Sequence, residues 1–371
     1  MNKLSLYLHF PFCKAKCKYC DFYSLPKREW IPAYEKALTN SFSAFSSIAP
    51  DTSIETVYLG GGTPSLATPK GIREIFSSLR GNFSVAPDAE ITAEMNPEST
   101  DAEVLSAFRE AGVNRISFGM QSAMSGELEL LGRLHRFDAV ECAVTLARKH
   151  GFENVSLDLM YGLPSQSAES FMTSLKQALS LEPKHISFYL LTLSDSVPLY
   201  RSRHLLPEDD VVREMYLSAS ALLQERGFEH YEISNAALEG FRSRHNLVYW
   251  TGGDYLGIGP GAHSLVQGKR FYMLDGVEEF ISAENPLDRL SEKEVLNADD
   301  LLMEYVMLSL RTKEGISLDR ILQLSDENTA YRIKSKFSIW EKHGLCIPTE
   351  EGFALTAKGF FVSNEIITEL I

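Results

Sequence analysis

Six short runs rich in β-branched and aromatic residues dominate the first half of the chain: LSLYLHF (4–10), ETVYLGGG (55–62), EITAEMN (90–96), RISFGMQ (115–121), VSLDLMYG (155–162) and HISFYLLT (185–192). Amphipathic stretches such as GIREIFSSLRGNF, DAEVLSAFREAG, DAVECAVTLARKHG and AESFMTSLKQALSL lie between them, several ending in a glycine C-cap signal. Strands separated by helices run parallel through right-handed crossovers. Runs apolar on both faces suit a sheet covered by helices on one side and by a packed interior on the other. Six such units fit either a doubly wound sheet or an incomplete barrel. Their polar features favour the barrel. A cysteine-bearing loop follows the first run, GGGTPS the second, Glu94-Met95-Asn96-Pro97 the third and Gln121 the fourth, with Asp158 inside the fifth. In parallel α/β folds that rim is where ligands bind. Six loops converging on one mouth predict an α/β fold of the partial (β/α)6, TIM-like type.

Beyond residue 200 the alternation weakens. RSRHLLPEDD reads as an exposed linker, followed by a helix at DDVVREMYLSASALLQERGF and a polar, aromatic block, HYEISNAALEGFRSRHNLVYWTGGDYLGIGPGAHS. From about 296 the order is helix, turn, helix, then a hairpin-like HGLCIPTEEGFALTAKGF and a last helix, which predicts a winged-helix-like domain. The expected division is therefore a barrel over 1–200, an extension over 201–295 and the C-terminal domain over 296–371.

The net charge of −14 carries no Lys/Arg-rich block, which argues against nucleic acid as a partner, since phosphate-backbone binding rests on accumulated cations. No segment has the run of about 18–20 apolar residues that spans a membrane. MNKLSLYLHFPFCK lacks the apolar core and cleavage site of a signal peptide. Five cysteines, three of them clustered, fit a reducing, cytoplasmic compartment in which thiolates serve a metal. Cys142 and Cys346 lie alone in apolar contexts and read as buried small hydrophobes.

The cluster is PFCKAKCKYCDFY, with Cys13, Cys17 and Cys20 spaced C-x3-C-x2-C. Thiolates at that spacing on a loop reach three corners of a cubane. One iron of a [4Fe–4S] cluster then lacks a protein ligand and is open to a small molecule. The alternative is zinc with His9 as fourth ligand, although His9 belongs to the first strand and the spacing is not that of a usual zinc knuckle.

C-x3-C-x-Y-C resembles the signature of the radical S-adenosylmethionine (SAM) superfamily, in which the open iron chelates the amino and carboxylate groups of SAM. GGGTP at 60–64 resembles that superfamily's glycine motif, where a missing Cβ lets the backbone approach a ligand. More closely, YLHFPFCKAKCKYCDF, YLGGGTPS, EMNPE, RISFGMQS, LDLMYGLP, HYEISNAA, RHNLVYW and GIGPGAHS together resemble the anaerobic coproporphyrinogen oxidase-like family, and within it the HemW branch. The resemblance implies SAM contacts at Tyr7, Phe22, Gly61, Gly62, Thr63, Glu94, Gln121, Arg133 and Asp158. Acidic and amide groups suit ribose hydroxyls and an ammonium, and an arginine suits a carboxylate.

Two functions follow from the resemblance. One branch abstracts hydrogen from coproporphyrinogen III propionates with SAM-derived radicals, making the chain a dehydrogenase of porphyrin biosynthesis. The other binds haem or porphyrin and hands haem to acceptor proteins, some of them membrane-associated. The oxidases carry a further cysteine two residues after the third, where this chain has Phe22, and an N-terminal extension that the residues before Cys13 are expected to be too few to supply. His245, Asn246, Tyr249 and Trp250 form H-N-x-x-Y-W, similar to the HemW haem-binding motif, which implies His245 as a haem ligand. Arg242 and Arg244 are then candidates for haem propionates, or else salt-bridged surface arginines, and His263 is a candidate second ligand. The loop LTLSDSVPLY departs from the family's acidic-Pro-Gly-Thr-Pro pattern at Ser194, Asp195 and Ser196. An open iron can also be shared by two copies, which leaves a homodimer open.

Overall fold

The computed structural model describes residues 2–370. The chain forms two compact units, one comprising the chain up to Pro207 with Asp254–Glu294, the other Glu208–Gly253 with the chain from Val295 onward.

In the first unit, β1 (Asn2–Phe10), α1 (Ile31–Ser46), β2 (Thr52–Gly61), α2 (Pro69–Asn82), β3 (Ser84–Met95), α3 (Ala102–Glu110), β4 (Arg115–Gln121), α4 (Ser125–Leu131), α5 (Phe137–Lys149), β5 (Asn154–Tyr161), α6 (Ala168–Ser180) and β6 (His185–Leu190) follow one another. The six strands are parallel and lie in chain order, each beside the next. A strand order that never reverses puts every right-handed crossover on the same face, which is the arrangement of a barrel rather than of a doubly wound sheet. Local signals agree with the topology. The side chains of Thr68, Asp101 and Ser167 cap α2, α3 and α6, and α2 buries Ile72, Ile75, Phe76 and Leu79 along one stripe.

The chain then enters the second unit through α7 (Asp209–Glu225), the antiparallel pair β7 (Glu229–Glu232) and β8 (Asn235–Ala237), and α8 (Arg244–Trp250). It returns to the first unit with β9 (Tyr255–Ile258), which pairs parallel with β1 on the side away from β2. Antiparallel β10 (His263–Val266) and β11 (Lys269–Tyr272) follow, then α9 (Val277–Ser282). The remainder of the second unit runs helix Ala298–Ser309, strand Ile316–Ser317, helices Leu318–Leu324 and Glu327–Lys342, and a hairpin of Cys346–Pro348 with Gly352–Leu355. That is the helix–strand–helix–helix–hairpin order of a winged helix.

Two expectations are corrected. RSRHLLPEDD (201–210), expected to be an exposed linker, is largely exposed but not bare: its first five residues end a 3₁₀ helix (Pro198–Leu205), and its Leu206 packs on the cluster of Leu131, Met160, Leu163, Leu191 and Leu199. Cys346 is buried as expected, but Cys142 is exposed. The buried stripe of α5 is Val140, Ala143, Val144 and Ala147, and position 142 falls on the opposite side of a 3.6-residue helix. Among the described residues, no helix is long and apolar enough to cross a membrane.

Candidate functional site

Each of the six parallel strands places one polar or aromatic side chain in one of two linked sets, which the register of Glu94 beside Ser117 brings side by side. Tyr7 (β1) stacks on Tyr58 (β2) with ring centroids 6.3 Å apart, and the Tyr58 hydroxyl donates to Glu94 (β3) at 2.8 Å. Ser117 (β4) donates to Asp158 (β5) at 2.9 Å, and Ser187 (β6) also hydrogen bonds to Asp158. Burial dominates the titration of both sets. It pushes Glu94 up to about 7 against the hydrogen bond from Tyr58, and it raises Asp158 against those from Ser187 and Ser117. Two carboxylates held this way favour a cationic or multiply hydroxylated ligand, whose charge or donors restore what burial removed.

The cysteine loop leaves β1 at this rim and is tied down at several points. Cys13 N–H donates to Leu25 O (3.1 Å), Lys18 N–H to Leu131 O (2.9 Å) and Leu199 N–H to Lys18 O (2.8 Å). Thus the end of α4 and the 3₁₀ helix at 198–205 fix the loop from outside. Each thiol has a donor: the Thr63 hydroxyl at 3.5 Å for Cys13, Arg133 Nη1 at 3.6 Å for Cys17, and the Phe22 backbone for Cys20. Burial raises the Cys13 thiol and pushes Cys20 up to about 11, so a bound cation is what makes thiolates of them.

His9 is not a fourth ligand. Its Nε2 is bonded to Tyr23 O at 2.8 Å and its Nδ1 to the Tyr7 hydroxyl at 3.0 Å. Among the described residues, no three His, Cys, Asp or Glu side chains close on a single ion. Three thiols in one loop suit a cluster that presents a different iron to each of them.

The glycine motif is explained first by the protein itself. Gly61 has φ +106°, and a Cβ there would lie 2.4 Å from the His9 ring; a Cβ on Gly62 would lie 2.6 Å from Phe12 O. The Gly61 N–H donates to Glu94 (3.1 Å), that of Gly62 to Phe10 O (2.8 Å) and that of Thr63 to Phe12 O (2.7 Å). These three N–H groups are thus engaged within the protein. Gln121 closes β4 in a left-handed conformation, φ +65°. Gly119 was not singled out from sequence, yet a Cβ there would meet Gln121 Nε2 (2.9 Å), Asn96 Oδ1 (3.2 Å) and Arg133 Nη2 (3.3 Å). Only a glycine lets these three side chains meet over the strand. Arg133 Nε is buried with no acceptor, an orphan that a ligand carboxylate would satisfy. The Phe22 side chain is 65% exposed.

In the second unit, His245 is buried on α8 with Nε2 2.9 Å from the Tyr249 hydroxyl. Arg242 is ion-paired to both Glu229 and Glu314, the salt-bridged alternative. In the first unit, His263 is exposed and stacks on Tyr272, and Ser194 and Ser196 bond to each other at 2.8 Å.

The sequence model of the Radical SAM superfamily matches residues 7–178. A protein of Bacillus subtilis (strain 168) named heme chaperone HemW is 33% identical over 98% of this chain and 97% of its own length. The chain belongs to the HemW family. Its similarity to the Escherichia coli (strain K12) heme chaperone HemW is 40% over 71% of this chain and 70% of that relative. The solved structure of E. coli coproporphyrinogen III oxidase (HemN), described as a radical SAM enzyme, superposes with a TM-score of 0.85 at 24% identity, covering 100% of this chain and 90% of that one. That likeness confirms the α/β fold. Radical SAM membership brings a [4Fe–4S] cluster and SAM as cofactors, and the site just described fits them in its three donor-supplied thiols, its buried carboxylates and its orphan guanidinium nitrogen.

Proposed function

We propose that this chain is a haem chaperone, which binds haem and passes it to acceptor proteins that require it. The observation that carries the proposal is similarity to HemW relatives along nearly the whole chain, second unit included. Phe22 supports it, standing where the oxidases have cysteine. Cys13, Cys17 and Cys20 would hold three irons of the cluster. Tyr7, Gly61, Gly62, Thr63, Glu94, Gln121, Arg133, Asp158 and the Phe22 loop would surround SAM. When bound, the cluster supplies a low-potential electron and an open iron that anchors SAM.

For haem, His245 is the proposed ligand, and its Nε2 must first part from Tyr249. Arg242 is withdrawn as a propionate partner, because two glutamates already hold it. The proposed acceptors include membrane-associated haem proteins, and the proposed compartment is the cytoplasm, where thiolates stay reduced. A dimer would arise if two copies shared the open iron.

The deciding experiment runs an anaerobic coproporphyrinogen assay, with SAM and reductant, beside a haem titration of wild type and His245→Ala. Stoichiometric haem binding that weakens in the variant, without protoporphyrinogen formation, is the expected outcome. Robust turnover would instead make the chain a dehydrogenase.

A further inference from the structure

The structure assigns to Asn96 a role beyond the contacts implied by the family: we propose that Arg133, Asn96 and Thr63 form a one-way hydrogen-bond relay to the sulfurs of Cys13 and Cys17, and that Asn96 is the positioning residue that sets the reduction potential of the cluster they hold. The proposal rests on those cysteines being cluster ligands. Arg133 Nη2 lies 2.5 Å from Asn96 Oδ1, Asn96 Nδ2 lies 2.9 Å from Thr63 Oγ1, and Thr63 Oγ1 lies 3.5 Å from Cys13 Sγ. Arg133 Nη1 reaches Cys17 Sγ at 3.6 Å. One guanidinium thus serves two cysteines, one directly and one through two intermediaries.

The direction of the relay follows from donor chemistry. A guanidinium only donates, so the Asn96 atom facing Arg133 is the oxygen and the amide nitrogen faces Thr63. The Thr63 oxygen therefore accepts from Asn96. Its single proton is left for the one remaining neighbour, the Cys13 sulfur.

Every member is held by its surroundings. Arg133 Nη2 also donates to Gly119 O at 2.8 Å. The Asn96 carbonyl accepts from Ser99 N–H at 3.1 Å and from the Thr100 hydroxyl at 2.9 Å. Thr63 is buried, with its N–H on Phe12 O. Hydrogen bonds to the ligating sulfurs stabilise the more electron-rich, reduced cluster and so raise its potential. Arg133 is thereby given a task in addition to meeting a ligand carboxylate, and Asn96 a task that touches no ligand.

The test uses the full chain after anaerobic reconstitution, with iron content and an EPR-monitored redox titration as readouts. Thr63→Val removes the hydroxyl at nearly constant volume and is expected to shift the cluster potential negative, while Thr63→Ser stays at the wild-type value. Asn96→Asp keeps an acceptor for Arg133 but cannot donate to Thr63, so the hydroxyl turns to the new carboxylate and leaves Cys13. Its negative shift is expected to shrink in a Thr63→Val background, because the relay is already cut there; a pure charge effect would add in full. Should Thr63→Val lose the cluster, Thr63→Ala, which also lacks the hydroxyl, supplies the background in which the relay is cut. A loaded wild type whose Asn96→Asp and Thr63→Val variants keep its potential, or whose shifts add fully, overturns the relay alone. A wild type that takes up far fewer than about four irons per chain overturns the cluster assignment, and the relay with it.

Discussion

Replacing Gly62 with alanine probes how the rim is assembled. The new Cβ would stand 2.6 Å from Phe12 O and 2.7 Å from Phe10 O, and neither main-chain atom can swing aside. Relief requires the end of β2 to move off β1. That sacrifices the bonds from Gly62 N–H to Phe10 O (2.8 Å) and from Thr63 N–H to Phe12 O (2.7 Å). Overpacking costs about 1–3 kcal/mol and each backbone hydrogen bond about 1 kcal/mol, so the expected loss is roughly 3–5 kcal/mol. At about 2–4 °C per kcal/mol for a unit of this size, the first transition in a calorimetric melt of the cluster-free protein should fall by roughly 6–20 °C. Gly81 is the control. It lies exposed in α2, with nothing within 4 Å of a Cβ, and alanine there should stabilise by about 0.5–1 kcal/mol. If Gly62→Ala melts with the wild type while Gly81→Ala behaves as expected, packing against β1 is not what the glycine serves, and ligand approach becomes its sole reason.

Glu94 sets a pH dependence. Its folded value near 7 lies above the ordinary 4.5, so between those pH values the native state holds a proton that the unfolded chain has released. Stability is therefore expected to fall as pH rises through that window, and Glu94→Gln should flatten the slope in urea melts of the cluster-free protein. Tyr249→Phe removes one competitor for His245 Nε2; a hydrogen bond of about 0.5–1.5 kcal/mol predicts haem affinity about two- to tenfold higher by absorbance titration. Arg242→Ala breaks part-exposed pairs to Glu229 and Glu314 and should cost at most about 1 kcal/mol of stability. Haem affinity should stay the same in that variant, and a large loss would return Arg242 to the propionates.

The residues that carry the site were legible because their types are rare in their contexts: three thiols in one loop, acids inside apolar strands, glycines at a strand end. Their partners were not. Arg133 of LLGRLHR stands out only through the family resemblance, and nothing local announces that it meets Asn96 from the loop after β3. Only the register of β3 on β4, Met95 beside Phe118, brings Asn96 level with Gly119, and only the missing Cβ of Gly119 lets Arg133 pass over it. The same lack of partner information lies behind Cys142, expected to be buried, and RSRHLLPEDD, expected to be a bare linker. In both, composition was right and the facing surface was unknown. The glycine motif is the converse. A ligand-facing reading of these glycines is incomplete, since it leaves out the β1 backbone that fills the space first. The consequence is mechanical. A rim whose glycines and thiol donors are fixed by β1, α4 and the 3₁₀ helix is preformed, so ligand binding there has to supply little ordering energy. His245 is different: it is buried and bonded to Tyr249, and a haem ligated there, as proposed, would first have to displace that contact.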